Sequence, residues 1–220
     1  MKTKALLLAG LVSLAGVAAT QAQTVYSVNV VGFVNVDVPA GGFVLVGNPL
    51  NTSGNTLDAI LPSVPNNTTK VFRFDSGTGG YILHTKRSTG WQPDGATTVV
   101  APGEGFFVQN TAASAITLTF TGELLQSSGS TPITRNIPQG FSLLSSFIPS
   151  SGLVQTQLGL PAQNGDRVYK FVNGGYELYT RRTSSWSSPG EPTMNVAEGF
   201  FYQNNSGSAQ TWQRVFSVTE

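Results

Sequence analysis

The chain has 220 residues, a formal net charge of +1, 40% hydrophobic residues and no cysteine. A charged fraction of only 10% excludes the basic footprint of a nucleic-acid binder and a polybasic membrane patch. With no cysteine there are no disulfides, so stability must come from core burial and sheet pairing.

Residues 1–22 read as a secretory signal peptide. Lys2 and Lys4 give a positive start, residues 5–18 an apolar run, and Thr20-Gln21-Ala22 the small residues of a cleavage site after Ala22. The run is shorter than the roughly 20 residues of a membrane-spanning helix, and no later segment is long and apolar enough either. No integral membrane segment is therefore expected after cleavage. Loss of Lys2 and Lys4 moves the net charge from +1 to −1. The expected location is extracytoplasmic: secreted, periplasmic or at the cell surface.

Residues 23–33 read as an additional N-terminal strand. Tyr26, Val28, Val30, Gly32, Val34, Val36 and Val38 make one apolar face at period two. From Tyr26 to Val38 such a strand would run about 40 Å, well beyond the usual five or six residues. Either it bends at Gly32 and serves two sheets, or part of it pairs beyond its own repeat. Tyr26, Val28 and Val30 are the candidate self-association strand, because an exposed apolar strand is otherwise an aggregation liability.

The remainder is one unit written twice, over residues 34–125 and 132–220, joined by the linker 126–131. Gly42-Phe43-Val44-Leu45 returns as Gly140-Phe141-Ser142-Leu143, and Val71-Phe72-Arg73-Phe74 as Val168-Tyr169-Lys170-Phe171. Gly79-Gly80-Tyr81 returns as Gly174-Gly175-Tyr176, and Trp91 as Trp186. Gly103-Glu104-Gly105-Phe106-Phe107-Val108-Gln109-Asn110 returns as Ala197-Glu198-Gly199-Phe200-Phe201-Tyr202-Gln203-Asn204. What persists is apolar, aromatic or glycine, the types that set packing and backbone geometry.

Strand signals dominate. Residues 116–120 alternate strictly, and the Gly- and Asn-bearing connections 75–80 and 172–175 carry hairpin chemistry. A short helical turn is expected at 56–61, stopped by Pro62, and its pair at 156–160, stopped by Pro161. The fold class is thus all-β: two tandem antiparallel sandwich or barrel-like repeats, each with one short helical turn.

No residue set rises to a catalytic, cofactor or metal signature. Glu104 and Glu198 occupy equivalent places, whereas glycoside hydrolysis needs two acids converging on one bond; backbone or Arg73 and Lys170 partners are the better expectation. His84 is the single histidine and lacks a nearby nucleophile motif. Asp75 fits a hairpin turn better than a calcium loop, having no counterpart in the second copy. Trp91, Trp186, Tyr81 and Tyr176, with Arg87 and Arg182 close by in sequence, are the candidate glycan contacts, weighed against ordinary packing.

The Val28-Asn29-Val30-Val31-Gly32-Phe33 segment and Pro102-Gly103-Glu104-Gly105-Phe106 carry a likeness over nearly all of the chain after residue 22. They resemble a type of uncharacterised exported bacterial β-repeat protein, with a signal peptide, a Val-Asn-Val-Val-Gly-aromatic segment and repeats ending in Pro-Gly-x-Gly-aromatic. The resemblance implies no activity and no catalytic residues. The second copy departs from it at Asn195-Val196-Ala197, where a looser turn is expected.

The expectation is a non-enzymatic secreted or cell-surface structural or adhesive protein, able to associate with itself or other surface proteins by strand addition. The alternative is a glycan-binding module of an extracellular polysaccharide system. Neither reading calls for a cofactor, a metal or a nucleic-acid partner.

Overall fold

The computed structural model describes residues 30–218. The expected signal peptide, together with Tyr26 and Val28 of the candidate self-association strand, lies outside the described residues. In chain order the elements are β1 (Val31–Val38), β2 (Phe43–Gly47), α1 (Leu57–Ile60), β3 (Thr69–Asp75), β4 (Gly80–Arg87), β5 (Gly90–Gln92), β6 (Gly105–Asn110) and β7 (Ile116–Glu123). The second half continues with β8 (Ile133–Ile137), β9 (Gly140–Ser145), β10 (Gly152–Leu153), β11 (Arg167–Val172), β12 (Gly175–Thr180), β13 (Thr193–Met194), β14 (Gly199–Asn204) and β15 (Gln210–Arg214). The fold is all-β, and every paired strand is antiparallel. Among the described residues no helix is long and apolar enough to cross a membrane.

The first half holds a five-stranded sheet, β2-β6-β3-β4-β5, and the second a four-stranded sheet in the order β9-β14-β11-β12. A two-stranded ribbon accompanies each, β1-β7 in the first half and β8-β15 in the second. Between sheet and ribbon lies an apolar core. In the first half Val38, Leu57, Trp91, Phe106 and Phe120 belong to it, and in the second Ile137, Leu158, Val168, Phe200 and Trp212. The two cores fill by different means. The Trp91 indole donates to the Leu61 carbonyl at 3.0 Å, whereas in the second half Trp212 donates to the Leu158 carbonyl at 2.7 Å. A buried indole N–H must find an acceptor, and a turn carbonyl supplies one in each core.

β1 departs from the expected extra strand. It runs unbroken from Val31 to Val38, every residue pairing with β7, and Gly32 sits opposite Gly122 without a bend. The Val30 carbonyl extends the same ladder, accepting the Leu124 N–H at 2.9 Å. Residues 31–33 and 34–38 thus form one strand within the first half, and β8, pairing with β15, takes the equivalent place in the second. The period-two reading of this segment does hold: Val34, Val36 and Val38 pack inward, while Val31 and Phe33 are exposed.

α1 forms where expected, with the Thr56 hydroxyl accepting the Ala59 N–H at 3.3 Å as its N-cap. The pair expected at 156–160 does not form a regular helix; residues 154–158 make successive turns. There the Glu191 carboxylate takes the N–H groups of Gln155 and Thr156 at 2.6 and 2.7 Å, and the Leu160 N–H reaches back to Val154. The Gln157 and Gly159 N–H groups make i→i−4 bonds to Leu153 and Gln155, but the Leu158 N–H also returns to Leu153 and the Leu160 N–H to Val154, so the regular ladder is broken and no helix propagates. The linker is tied down: Ser127 exchanges bonds with Phe216, and Gln126 accepts the Val218 N–H at 3.0 Å.

Candidate functional site

Strand alternation gives the large sheet of each half a second apolar face, turned away from its own core. In the repeated Gly-Phe-Phe phrase the first phenylalanine, Phe106 or Phe200, enters the core, so the second, Phe107 or Phe201, must point the other way. These second faces meet. Leu45, Phe107, Leu143 and Phe201 are buried together, with Phe72, Phe74, Tyr169 and Phe171 packed around them.

The seam has an approximate two-fold relation. Phe107 meets Phe171 edge-on at 5.1 Å, and Phe201 meets Phe74 edge-on at 5.2 Å. The Gly47 N–H donates to the Ala197 carbonyl at 3.0 Å, and the Ser145 N–H to the Gly103 carbonyl at 2.9 Å. The glycines of the phrase permit this approach. A Cβ on Gly105 would lie 3.0 Å from the Leu144 backbone, and one on Gly199 would lie 2.7 Å from the Val46 carbonyl. The turn at Ala197 is no looser than its counterpart. Ala197 adopts a left-handed φ of 58°, Gly103 one of 83°, and the same backbone bond closes both turns, from Glu198 to Asn195 and from Glu104 to Ala101.

Two apolar grooves flank the seam. One, of about 310 Å³, is lined by Phe43, Phe72, Tyr81, Phe107, Phe171 and Gly174. The other, of about 370 Å³, is lined by the matching set Phe141, Tyr169, Tyr176, Phe201, Phe74 and Gly79. Burial, with the Tyr81 hydroxyl close by across the seam, pushes the Tyr176 phenol up to about 12.

The repeated acids serve this junction. Glu104 accepts the Arg73 guanidinium at 2.7 and 3.1 Å. Glu198 pairs with Lys170 at 3.1 Å and accepts the backbone and side-chain N–H groups of Asn195. Each carboxylate sits on its own ion pair beside its own strand end, and the two do not converge on a shared cleft. Asp75 closes the β3–β4 hairpin by accepting the Gly77 N–H and the Thr78 hydroxyl, both at 2.9 Å, which hold its carboxyl below the usual value.

Of the six candidate glycan contacts only Tyr81 and Tyr176 are brought together. Trp91 is 1% exposed inside the first core, so it offers no stacking face to a sugar. The sequence shows an aromatic there but not which way it turns, and the inward position on β5 turns it into the core. Trp186 is half-buried, with its indole donating to the Gln155 side chain at 3.1 Å. Tyr81 and Tyr176 belong to the seam and remain half-exposed. Arg87 donates to Asn67 at 2.7 Å, and Arg182 is exposed on a loop that its backbone N–H closes onto Ser185. His84 is buried, with Nδ1 against the Pro93 carbonyl at 2.7 Å and Nε2 unpartnered, and burial pushes its pKa down.

Two polar devices escaped the sequence reading. Asn110 and Asn204 close the ends of β6 and β14. Each side-chain amide donates to two loop carbonyls, Pro39 and Ser114 or Pro138 and Ser208. Their place at the end of both copies of the repeated phrase was the available signal. Asp166, fully buried, accepts from the Tyr202 hydroxyl at 2.5 Å, Gln210 at 2.8 Å, and the Gln163 and Asn205 N–H groups at 2.7 Å. It occurs once and had no signal.

Compared with family models, curated proteins and solved structures, the chain has no match.

Proposed function

We propose that the protein is a non-catalytic structural or adhesive component, exported and held at the cell surface or in the extracellular matrix. The observation that carries this reading is the placement of the repeated acids. Glu104 and Glu198 are each committed to an ion pair at the junction of the two halves. The residues that both copies retain therefore account for assembly of the two sheets, with no reactive pair left over. The apolar run and cleavage site at the N-terminus support export.

The test is a parallel measurement of retention and turnover. The purified chain should co-sediment with cell-envelope material and leave chromogenic glycosides and esters unchanged. Turnover abolished by Glu104→Gln or Glu198→Gln would sink the reading.

Glycan binding is a second reading, favoured by the half-exposed Tyr81 and Tyr176 beside their grooves. It predicts glycan-array signals lost in Tyr81→Ala or Tyr176→Ala with the fold intact.

A further inference from the structure

The junction contains a second pair of matched clefts, and these differ in a telling way. Each is lined by the repeated acid of one half and by strand residues of the other. One, of about 680 Å³, is lined by Val36, Val44, Val46 and Glu198 among others, and its polar atoms belong mainly to loops. The other, of about 300 Å³, is lined by Arg73, Glu104, Arg135, Ser142 and Leu144. Strand register fixes the correspondence. Val38 pairs with Ile116 as Ile137 pairs with Gln210, so Arg135 stands at the position of Val36. Val44 pairs with Val108 as Ser142 pairs with Tyr202, so Ser142 stands at the position of Val44. At two adjacent inward positions, the same scaffold carries valines in one cleft and an arginine with a serine in the other.

Both polar residues are incompletely satisfied. Arg135 Nη1 donates to the Pro102 carbonyl at 3.0 Å, but its Nε has no partner. Ser142 is 8% exposed and its hydroxyl has no partner. Buried donors without acceptors are costly, and valine at both positions would avoid that cost. Arg135 is not needed to neutralise the acid either. Glu104 already has Arg73 at 2.7 Å, and in the matching cleft Glu198 manages with Lys170 alone. With Arg73 committed to Glu104, Arg135 is left as the guanidinium without an ion pair on the cleft wall. The other acid on the wall, Asp75, is partly buried and accepts from Gly77 and Thr78 in its hairpin turn rather than from Arg135.

We propose that this cleft binds one carboxylate group, carried by a small organic acid or by a uronate sugar, with Arg135 and Ser142 as its ligands. A guanidinium presents a planar fork of donors that matches a carboxylate, and a hydroxyl beside it adds a third. The volume lies at the lower end for small-molecule sites, enough for one sugar ring or a short acid. The site is independent of the structural role proposed above, which rests on Glu104 and Glu198.

Calorimetric titration of the chain lacking residues 1–22 tests it, with glucuronate, acetate and neutral glucose as probes. Glucuronate is expected to bind with Kd of about 1 mM or tighter, and glucose not at all. Acetate binding equal to glucuronate identifies the carboxylate alone as the recognised group; at least about tenfold tighter glucuronate binding identifies the sugar acid. The double substitution Arg135→Val with Ser142→Val, which installs the residues of the matching cleft, should weaken binding by at least about tenfold without lowering the unfolding midpoint. The Arg135 Nε–H resonance of the unsubstituted chain should shift on titration, a readout that needs no variant. Absence of binding by either carboxylate, equal binding of glucose, an unmoved Arg135 resonance, or undiminished binding in a folded double variant would each overturn the proposal.

Discussion

Phe107 of the first half stands edge-on to Phe171 of the second, ring centres 5.1 Å apart and planes at 87°. The contact is reproduced by Phe201 against Phe74 at 5.2 Å and 88°. Edge-to-face geometry aligns the positive rim of one ring with the negative face of the other, so the pair contributes beyond its buried area. Phe107→Ala and Phe201→Ala should each cost about 3–5 kcal/mol in urea unfolding, the usual range for emptying a buried aromatic site. A double-mutant cycle on Phe107 and Phe171 should return a coupling of about 0.5–1.5 kcal/mol. Strict additivity would mean that the halves touch without being coupled.

The close approach of Gly47 to Ser145 sets a second expectation. A Cβ on Gly47 would lie 1.8 Å from the Ser145 hydroxyl oxygen and 2.1 Å from its Cβ. Gly47→Ala should therefore force the junction apart and lower stability by about 1–3 kcal/mol, as overpacking does. Ser145→Gly added to it removes both clashing atoms and should recover most of the loss. No recovery in the double variant would show that the conflict lies with the Glu104 carbonyl, 3.2 Å from the same Cβ.

The sequence carried the all-β architecture but not the way its halves meet. Alternation, hairpin turns and the duplicated phrase were legible because each is written in local spacing. The seam was half-written. Gly-Phe-Phe-Val is apolar on both strand faces, the mark of a strand covered on both sides, yet nothing local says that the second cover is the other half of the same chain. The counterpart of β1 was hidden for a different reason. Ile133-Thr134-Arg135-Asn136-Ile137 replaces an inward valine by Arg135, which breaks the apolar alternation that revealed β1. Trp91 misled because an aromatic beside basic residues reads alike in a core and in a sugar site; only its pairing with Lys86 on β4 turns it inward.

Trp91 accordingly makes a prediction about stability rather than about a ligand. Its ring is 1% exposed and its indole N–H is bound to the Leu61 carbonyl. Trp91→Ala should cost about 3–5 kcal/mol. Trp91→Phe retains much of the volume but leaves that carbonyl without its donor, and should cost less than the alanine. Trp186→Ala, at a half-buried position, should be milder than Trp91→Ala. Equal unfolding midpoints for Trp91→Ala and the unsubstituted chain would contradict the buried placement.

His84 gives the chain an acid-sensitive contribution. Its ring is buried, chiefly by which its pKa is held below the ordinary 6.5, although the Pro93 carbonyl opposes the shift. In the unfolded chain the imidazole takes up a proton near its ordinary value; in the folded chain it does so only at lower pH. Between those two points the unfolded state binds more protons, so stability rises with pH there. The folded state is therefore not penalised above about pH 6.5, and stability declines as pH falls below it, by at most about 1.4 kcal/mol per pH unit, until the folded group itself protonates. Urea unfolding at pH 7.5 and at pH 5, compared between the unsubstituted chain and His84→Tyr, which places the Tyr179 counterpart there, isolates this contribution. The variant should have the shallower pH dependence. Parallel curves would mean that the acid response arises from groups other than the ring behind Pro93.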